Sequence, residues 1–193
     1  MSSRLTLHLP GRQGHFLLES GYHCNLWLEL DRLFIGARAL MPFAADLAIR
    51  LRAYDIGAVC GPLTGGAFLA QAIALHLDID FFYSHRVVSQ QSGMFPVRYL
   101  LPHAQRQVVE GVRVAVVDDA ISGGSAARGT VESLEAAGAT VAAIGALFTL
   151  SDTAPRYFAE RGIAYETNAT LDSQLWAPDD CPLCAAGMPL ENV

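Results

Sequence analysis

The chain has 193 residues, 52% of them apolar, and a net charge of −6. Its thirteen cationic side chains are all arginine; no lysine occurs. That absence excludes a Walker-type phosphate loop, a protein-kinase site, Schiff-base or pyridoxal chemistry and serine–lysine dyads, each of which needs a lysine amine.

Residues 1–35 are short, mixed and turn-rich, and predict a small antiparallel hood. From about Ala37 to Ala53, Leu40, Phe43, Ala44, Leu47 and Leu51 recur at helical spacing. Ile56–Cys60 reads as a buried strand closed by Gly61-Pro62. Gly65-Gly66 opens a helix through Leu77, and Ile79–Tyr83 is a second strand. Residues 84–95 predict a mobile loop around Gln90-Gln91-Ser92-Gly93, with a return strand over Phe95–Leu101. Arg113–Val117 is a β-branched strand ending in two aspartates. A helix follows over 126–137, with Gly138 as its stop. Val141–Leu150 is a buried strand, Pro155–Arg161 a short helix and Ile163–Glu166 an edge strand. The proline-rich tail 170–193 ends the globular pattern.

Strands alternating with helices predict an α/β fold, a parallel sheet flanked by helices. The expected organisation is one domain over 1–193: hood 1–35, core 36–168 and C-terminal extension 169–193. A chain this long can bury a substantial core. Its acidic balance and scattered arginines argue against nucleic acid as a ligand. Val141–Leu150 is too short to span a bilayer, which argues against a membrane partner, and the N-terminus lacks a signal-peptide core. A cytoplasmic protein is expected.

The informative segment runs from Val114 to Arg128. A buried strand delivers Asp118 and Asp119 at its carboxyl end, where open α/β sheets bind ligands. The Ser/Gly loop Ser122, Gly123, Gly124, Ser125, Ala126 then opens a helix. Its amides and the helix N-terminus make an anion site, and its glycines let the backbone approach a phosphate. Carboxylates beside such a cradle repel a bare phosphate. They suit a ligand with phosphate at one end and vicinal hydroxyls beside it, or a hydrated Mg²⁺.

Here the chain resembles the type I phosphoribosyltransferases. Asp118-Asp-Ala-Ile-Ser-Gly-Gly-Ser-Ala-Ala-Arg128 is most similar to the orotate phosphoribosyltransferase form of their fingerprint. Phe16-Leu-Leu-Glu-Ser-Gly21 is similar to that family's N-terminal Phe-x-Leu-Lys-Ser-Gly, and Gly61-Pro-Leu-Thr-Gly-Gly66 to its pyrophosphate loop. The resemblance implies that a base nitrogen attacks C1 of phosphoribosyl pyrophosphate (PRPP) and Mg-pyrophosphate leaves. It implies that Ser122–Ala126 hold the 5-phosphate and that Asp118 and Asp119 hold the ribose hydroxyls. It further implies that Leu63, Thr64, Gly65 and Gly66 hold the pyrophosphate, that Ala120 and Ile121 complete the substrate wall, and that the loop 84–95 closes over the site. A homodimer is implied as well. Receiver domains share the strand-end aspartates but need a later lysine, and no Gly-x-Gly-x-x-Gly supports a dinucleotide fold.

The departures concern charge. Where the family places lysines, this chain has Glu19, Gly65 and Ser89. Arg86 aligns with another family lysine and is the expected catalytic cation, because arginine can clamp a diphosphate bidentately. Where the orotate carboxylate would meet an arginine, the chain has Ser151-Asp152, with Arg156 one turn on. Two alternatives follow: a transferase for a base other than orotate, or a non-catalytic PRPP- or nucleotide-sensing regulator.

Cys181-Pro-Leu-Cys184 offers two thiolates at zinc spacing, with His23, Cys24 or His103 as further candidates. Packing and redox roles are the alternatives. His8, His15 and His76 stand alone and read as solvated or core histidines, Cys60 as a buried small residue. Trp27 reads as a pocket or core residue, and Arg128 as facing solvent or a subunit interface.

Overall fold

The computed structural model describes residues 11–18, 20–88 and 97–192. Strands β1 (Gly11–Leu17) and β2 (His23–Leu28) form an antiparallel pair. Helices α1 (Asp31–Ile35) and α2 (Ala37–Leu51) lead into the core. There follow β3 (Ala58–Pro62), α3 (Gly65–Leu77), β4 (Asp80–Val88), β5 (Val97–Leu100) and α4 (His103–Arg106). The second half contains β6 (Arg113–Ile121), α5 (Ser125–Ala136), β7 (Thr140–Thr149), α6 (Thr153–Glu160) and β8 (Ala164–Thr170). The tail adds β9 (Leu175–Trp176), α7 (Pro182–Ala185) and β10 (Glu191–Asn192).

The main sheet has six strands in the order β5-β4-β3-β6-β7-β8. All neighbours are parallel except β4 and β5. Central parallel strands are covered on both faces, so they read as apolar runs. Val117 and Ala115 of β6 pack with Leu47 and Leu51 of α2 and Leu69 and Ile73 of α3. Val114 and Val116 pack with Val131 and Leu134 of α5 and Phe158 of α6. Burying each large aliphatic or aromatic side chain there contributes about 1.5–3 kcal/mol. Cys60 is fully buried on that second side, as expected.

Three differences from the sequence reading bear on function. Ser84–Val88 are strand, not loop: Ser84 still pairs with Pro62 of β3, and His85–Val88 extend β4 and pair with β5, Arg86 opposite Tyr99. Ser84 is buried and its hydroxyl meets Thr130 Oγ1 of α5 at 2.6 Å, which satisfies a polar side chain inside the packing. Ser89, Gln90–Gly93 and Phe95 lie outside the described residues, as do His8 and Glu19. Second, β6 runs past both aspartates, so Ala120 and Ile121 are strand residues facing Phe148 and Thr149 of β7. Third, the tail does not end the globular pattern. β9 pairs with β2 and β10 with β1, giving a second sheet in the order β10-β1-β2-β9. A two-stranded hairpin is marginal alone in water, and the tail supplies its missing neighbours. Among the described residues no helix is long and apolar enough to cross a membrane.

Candidate active site

The carboxyl end of β6 carries Asp118, 8% exposed, and Asp119 beside it. The Asp119 amide donates to Asp118 Oδ1 at 3.0 Å, and the Ala120 amide donates to Asp119 Oδ1 at 2.9 Å. Burial pushes the Asp119 carboxyl above its ordinary value; hydrogen bonding with the Asp118 side chain and from the Ala120 and Asp119 amides offsets part of the shift, and the charge of Asp31 adds to it.

After β6 the chain turns through Ser122–Gly124 into α5. Gly124 is the N-cap, at φ 78, and no side chain caps the helix. A Cβ there would lie 2.9 Å from the Cβ of Ala154, so both conformation and space call for glycine. The Arg128 amide donates to Gly124 O at 2.8 Å, the first bond of the helix. The amides before it have no intrahelical acceptor and sit at the positive end of the helix dipole. Ser151 Oγ donates to Ser122 O at 3.0 Å and the Leu150 amide to Ile121 O at 2.8 Å, tying this loop to the end of β7.

The β3–α3 loop comes in from the other side. The Leu63 amide donates to Ser84 O at 2.8 Å, and the Leu63–Thr64 peptide is cis. Three glycines bring this loop onto the acidic pair. A Cβ on Gly65 would lie 2.0 Å from Asp119 Oδ2, and one on Gly66 2.6 Å from Asp118 Oδ1. One on Gly61 would lie 2.0 Å from the backbone oxygen of Gly66.

The two loops and the hood enclose a cleft of about 500 Å³. The hood contributes Leu17, Leu18, Ser20 and Leu26 to Asp31, Trp27 included; Tyr99 and Leu150 close the sides. Leu63, Thr64, Gly65 and every residue from Asp118 to Ala126 line it, while Gly66 is buried behind the wall. Its charged lining is Glu29, Asp31, Asp118 and Asp119; among the described residues lining it there is no arginine or histidine. Tyr99, Glu29 and Asp31 carried no sequence signal, because their place on the wall depends on how β5 and the hood pack.

Other expected residues lie elsewhere. Arg86 is exposed on β4 and is not on the wall of this chain's cleft. Arg156 pairs with Asp152 on the outer surface of α6, with side chains 75% and 68% exposed, so neither lines the base side. Arg128 is half-buried and off the cleft wall, its guanidinium stacked 4.0 Å over the ring of Tyr157. Cys181 and Cys184 do not line the cleft; they meet His15 and His23 under the hood. Cys24 instead donates its thiol to Leu26 O, and His103 sits on α4 beside Gln107.

The sequence profile of the phosphoribosyl transferase domain matches residues 38–182. The orotate phosphoribosyltransferase of Thermotoga maritima is 30% identical over 183 residues, 93% of this chain and 89% of that protein. The crystal structure of orotate phosphoribosyltransferase from Aeropyrum pernix superposes with a TM-score of 0.62 at 26% identity, covering 82% of this chain and 86% of that one. The Mycobacterium tuberculosis orotate phosphoribosyltransferase structure shares the fold at 21% identity, with a TM-score of 0.65 and coverage of 88% and 94%.

Proposed function

The chain belongs to the phosphoribosyl transferase family, and from that premise we propose a cytoplasmic, homodimeric, Mg²⁺-dependent enzyme that joins the phosphoribosyl group of PRPP to a ring nitrogen of a base. The observation that carries this reading is the convergence of two amide-presenting loops on one acidic pair, Asp118 buried and Asp119 half-buried, in a single cleft. The Ser122–Ala126 amides receive the 5-phosphate. Asp118 and Asp119 accept hydrogen bonds from the ribose 2- and 3-hydroxyls. The Leu63–Gly65 backbone faces the diphosphate. The base nitrogen forms a bond to C1 as the bond from C1 to the pyrophosphate oxygen breaks, and both bonding electrons leave with pyrophosphate. Held geometry and preorganised donors favour the oxocarbenium-like transition state.

Four carboxylates and no cationic side chain among the described lining residues fit a diphosphate accompanied by a hydrated divalent cation. When bound, Mg²⁺ neutralises charge on the leaving group.

A specific observation favours a second reading of the acceptor. Orotate is the base named for the relatives and carries a carboxylate. The hood wall here presents Glu29 and Asp31, and Arg156 is turned away. Like charge at the base end disfavours an anionic acceptor and favours a neutral one.

The test is pyrophosphate release from PRPP and Mg²⁺ with orotate and with a panel of neutral bases. Turnover that is lost in Asp118→Asn supports the enzyme. A higher kcat/KM for a neutral base than for orotate supports the second reading. PRPP binding with no turnover on any base overturns the enzyme reading in favour of a PRPP-sensing regulator.

A further inference from the structure

A second cluster lies under the hood. His15 comes from β1 and His23 from β2; Cys181 and Cys184 flank the start of α7. One ligand atom from each of the four lies within 4.8 Å of all the others. His15 Nε2 is 3.0 Å from His23 Nδ1, 3.4 Å from Cys181 Sγ and 3.7 Å from Cys184 Sγ. Cys184 Sγ is 3.3 Å from His23 Nδ1. A tetrahedron with Zn–N near 2.05 Å and Zn–S near 2.3 Å has edges of roughly 3.3–3.8 Å. The four side chains therefore already stand close to the corners of a zinc coordination sphere.

Hydrogen bonding alone accounts poorly for this packing. His15 Nδ1 is 2.9 Å from Met188 O, and a carbonyl can only accept, so Nδ1 carries the proton. In the neutral ring that leaves Nε2 as a single lone pair turned into the cluster. Three heavy atoms crowd it, and one lone pair cannot serve as acceptor for them all in good geometry. A cation at the centre uses that lone pair and the other three donors together. The Met188 carbonyl then acts as the outer partner that fixes the ring of a metal-bound histidine. Three of the four ligands are buried, His15 at 1%, Cys181 at 3% and His23 at 5% exposed, and Cys184 closes the cluster from the exposed side.

We propose that His15 Nε2, His23 Nδ1, Cys181 Sγ and Cys184 Sγ bind a structural zinc ion that fastens the C-terminal tail to the hood. Two nitrogens and two thiolates in a tetrahedron select zinc over the hard cations, and four protein ligands leave no open position for catalysis. The second sheet needs such a fastening. Its edge strands β9 and β10 are two residues each, too short to hold a separate core. β2 carries His23 at its start and Leu26–Leu28 of the cleft wall at its end, so the ion also sets the position of that wall. The proposal does not rest on which base the cleft accepts.

The test begins with the full chain, purified under reducing conditions with any tag removed. Elemental analysis is expected to give about one zinc per chain. Cys181→Ser, Cys184→Ser and His15→Ala are each expected to lower this below about a tenth, and Cys24→Ser to leave it unchanged. Cobalt(II) added to the metal-free wild type is expected to give tetrahedral d–d bands and a thiolate-to-cobalt charge-transfer band; this readout needs no variant to fold. The metal-bound thermal midpoint is expected to exceed the metal-free one by about 10 °C or more. Protein without zinc and without a cobalt spectrum overturns the proposal. So does a Cys181–Cys184 disulfide in the freshly purified reduced protein, or zinc retained in both cysteine variants.

Discussion

Gly65 and Asp119 stand so close that a Cβ on the glycine would lie 2.0 Å from Asp119 Oδ2. The space a side chain at position 65 would fill is the space into which the second aspartate leans. Because the obstacle is the end of a carboxylate, Gly65→Ala is expected to leave the fold intact and swing that group away. KM for PRPP should rise about tenfold, near 1.4 kcal/mol of lost binding. Steady-state kinetics beside a urea unfolding curve checks both halves; a lost fold with unchanged KM is the contrary result.

Gly61→Ala meets backbone instead, the carbonyl oxygen of Gly66 at 2.0 Å. Backbone cannot rotate away, so the β3–α3 loop must shift. This substitution should cost about 1–3 kcal/mol of stability, read as a lower urea midpoint at unchanged slope.

Asp119 is held above its ordinary value of 3.8 mainly by burial. A buried carboxyl with a raised value binds its proton more tightly folded than unfolded. Its contribution to stability is therefore present at low pH and lost as pH rises from 3.8 through the raised value. In the proposed role the ionised Asp119 accepts from the ribose diol, so PRPP affinity should move the opposite way, growing over that interval. Asp119→Asn is expected to raise the midpoint of the ligand-free protein at neutral pH. It should also weaken PRPP binding at least tenfold and flatten its acid limb, measured by calorimetry against pH.

Tyr165 is pushed up to about 12, chiefly by burial, although its hydroxyl meets Thr149 Oγ1 at 3.1 Å. Between its ordinary value of 10 and about 12 the unfolded chain loses this proton while the folded chain keeps it. Stability should fall as pH rises through that window, by about 2–3 kcal/mol in total. Tyr165→Phe should remove that part of the alkaline slope. At neutral pH it should cost only about 1 kcal/mol for the lost hydrogen bond. Urea midpoints on both sides of the window distinguish the two effects.

The Ser84–Thr130 hydrogen bond joins β4 to α5 inside the protein, and Thr130 Oγ1 also donates to Ala126 O at 2.8 Å. Thr130→Val keeps the shape and strands the Ser84 hydroxyl. The expected cost is about 1–3 kcal/mol, and adding Ser84→Ala should recover part of it, as a double-mutant cycle would show.

Local sequence determined much of this protein. The β-branched run of β6, the paired aspartates after it and the Ser/Gly turn into α5 are consecutive, so strand, acid pair and anion cradle follow from neighbours along the chain. The absence of lysine was equally plain, and it limited the chemistry before any fold was known. Only the tertiary structure decided what depends on residues distant in sequence. Ser84–Val88 are strand because β3 and β5, distant in sequence, supply their backbone partners, and Thr130 satisfies the buried Ser84 hydroxyl. Neither Arg86 nor Arg156 is on the described wall of the cleft, whose polar lining is carboxylates, hydroxyls and backbone amides, and no local pattern along the chain announces that. His15 and Cys181 are 166 positions apart, and each alone reads as an ordinary residue. No periodicity links them; they meet because the tail folds back on the hood, β9 pairing with β2 and β10 with β1.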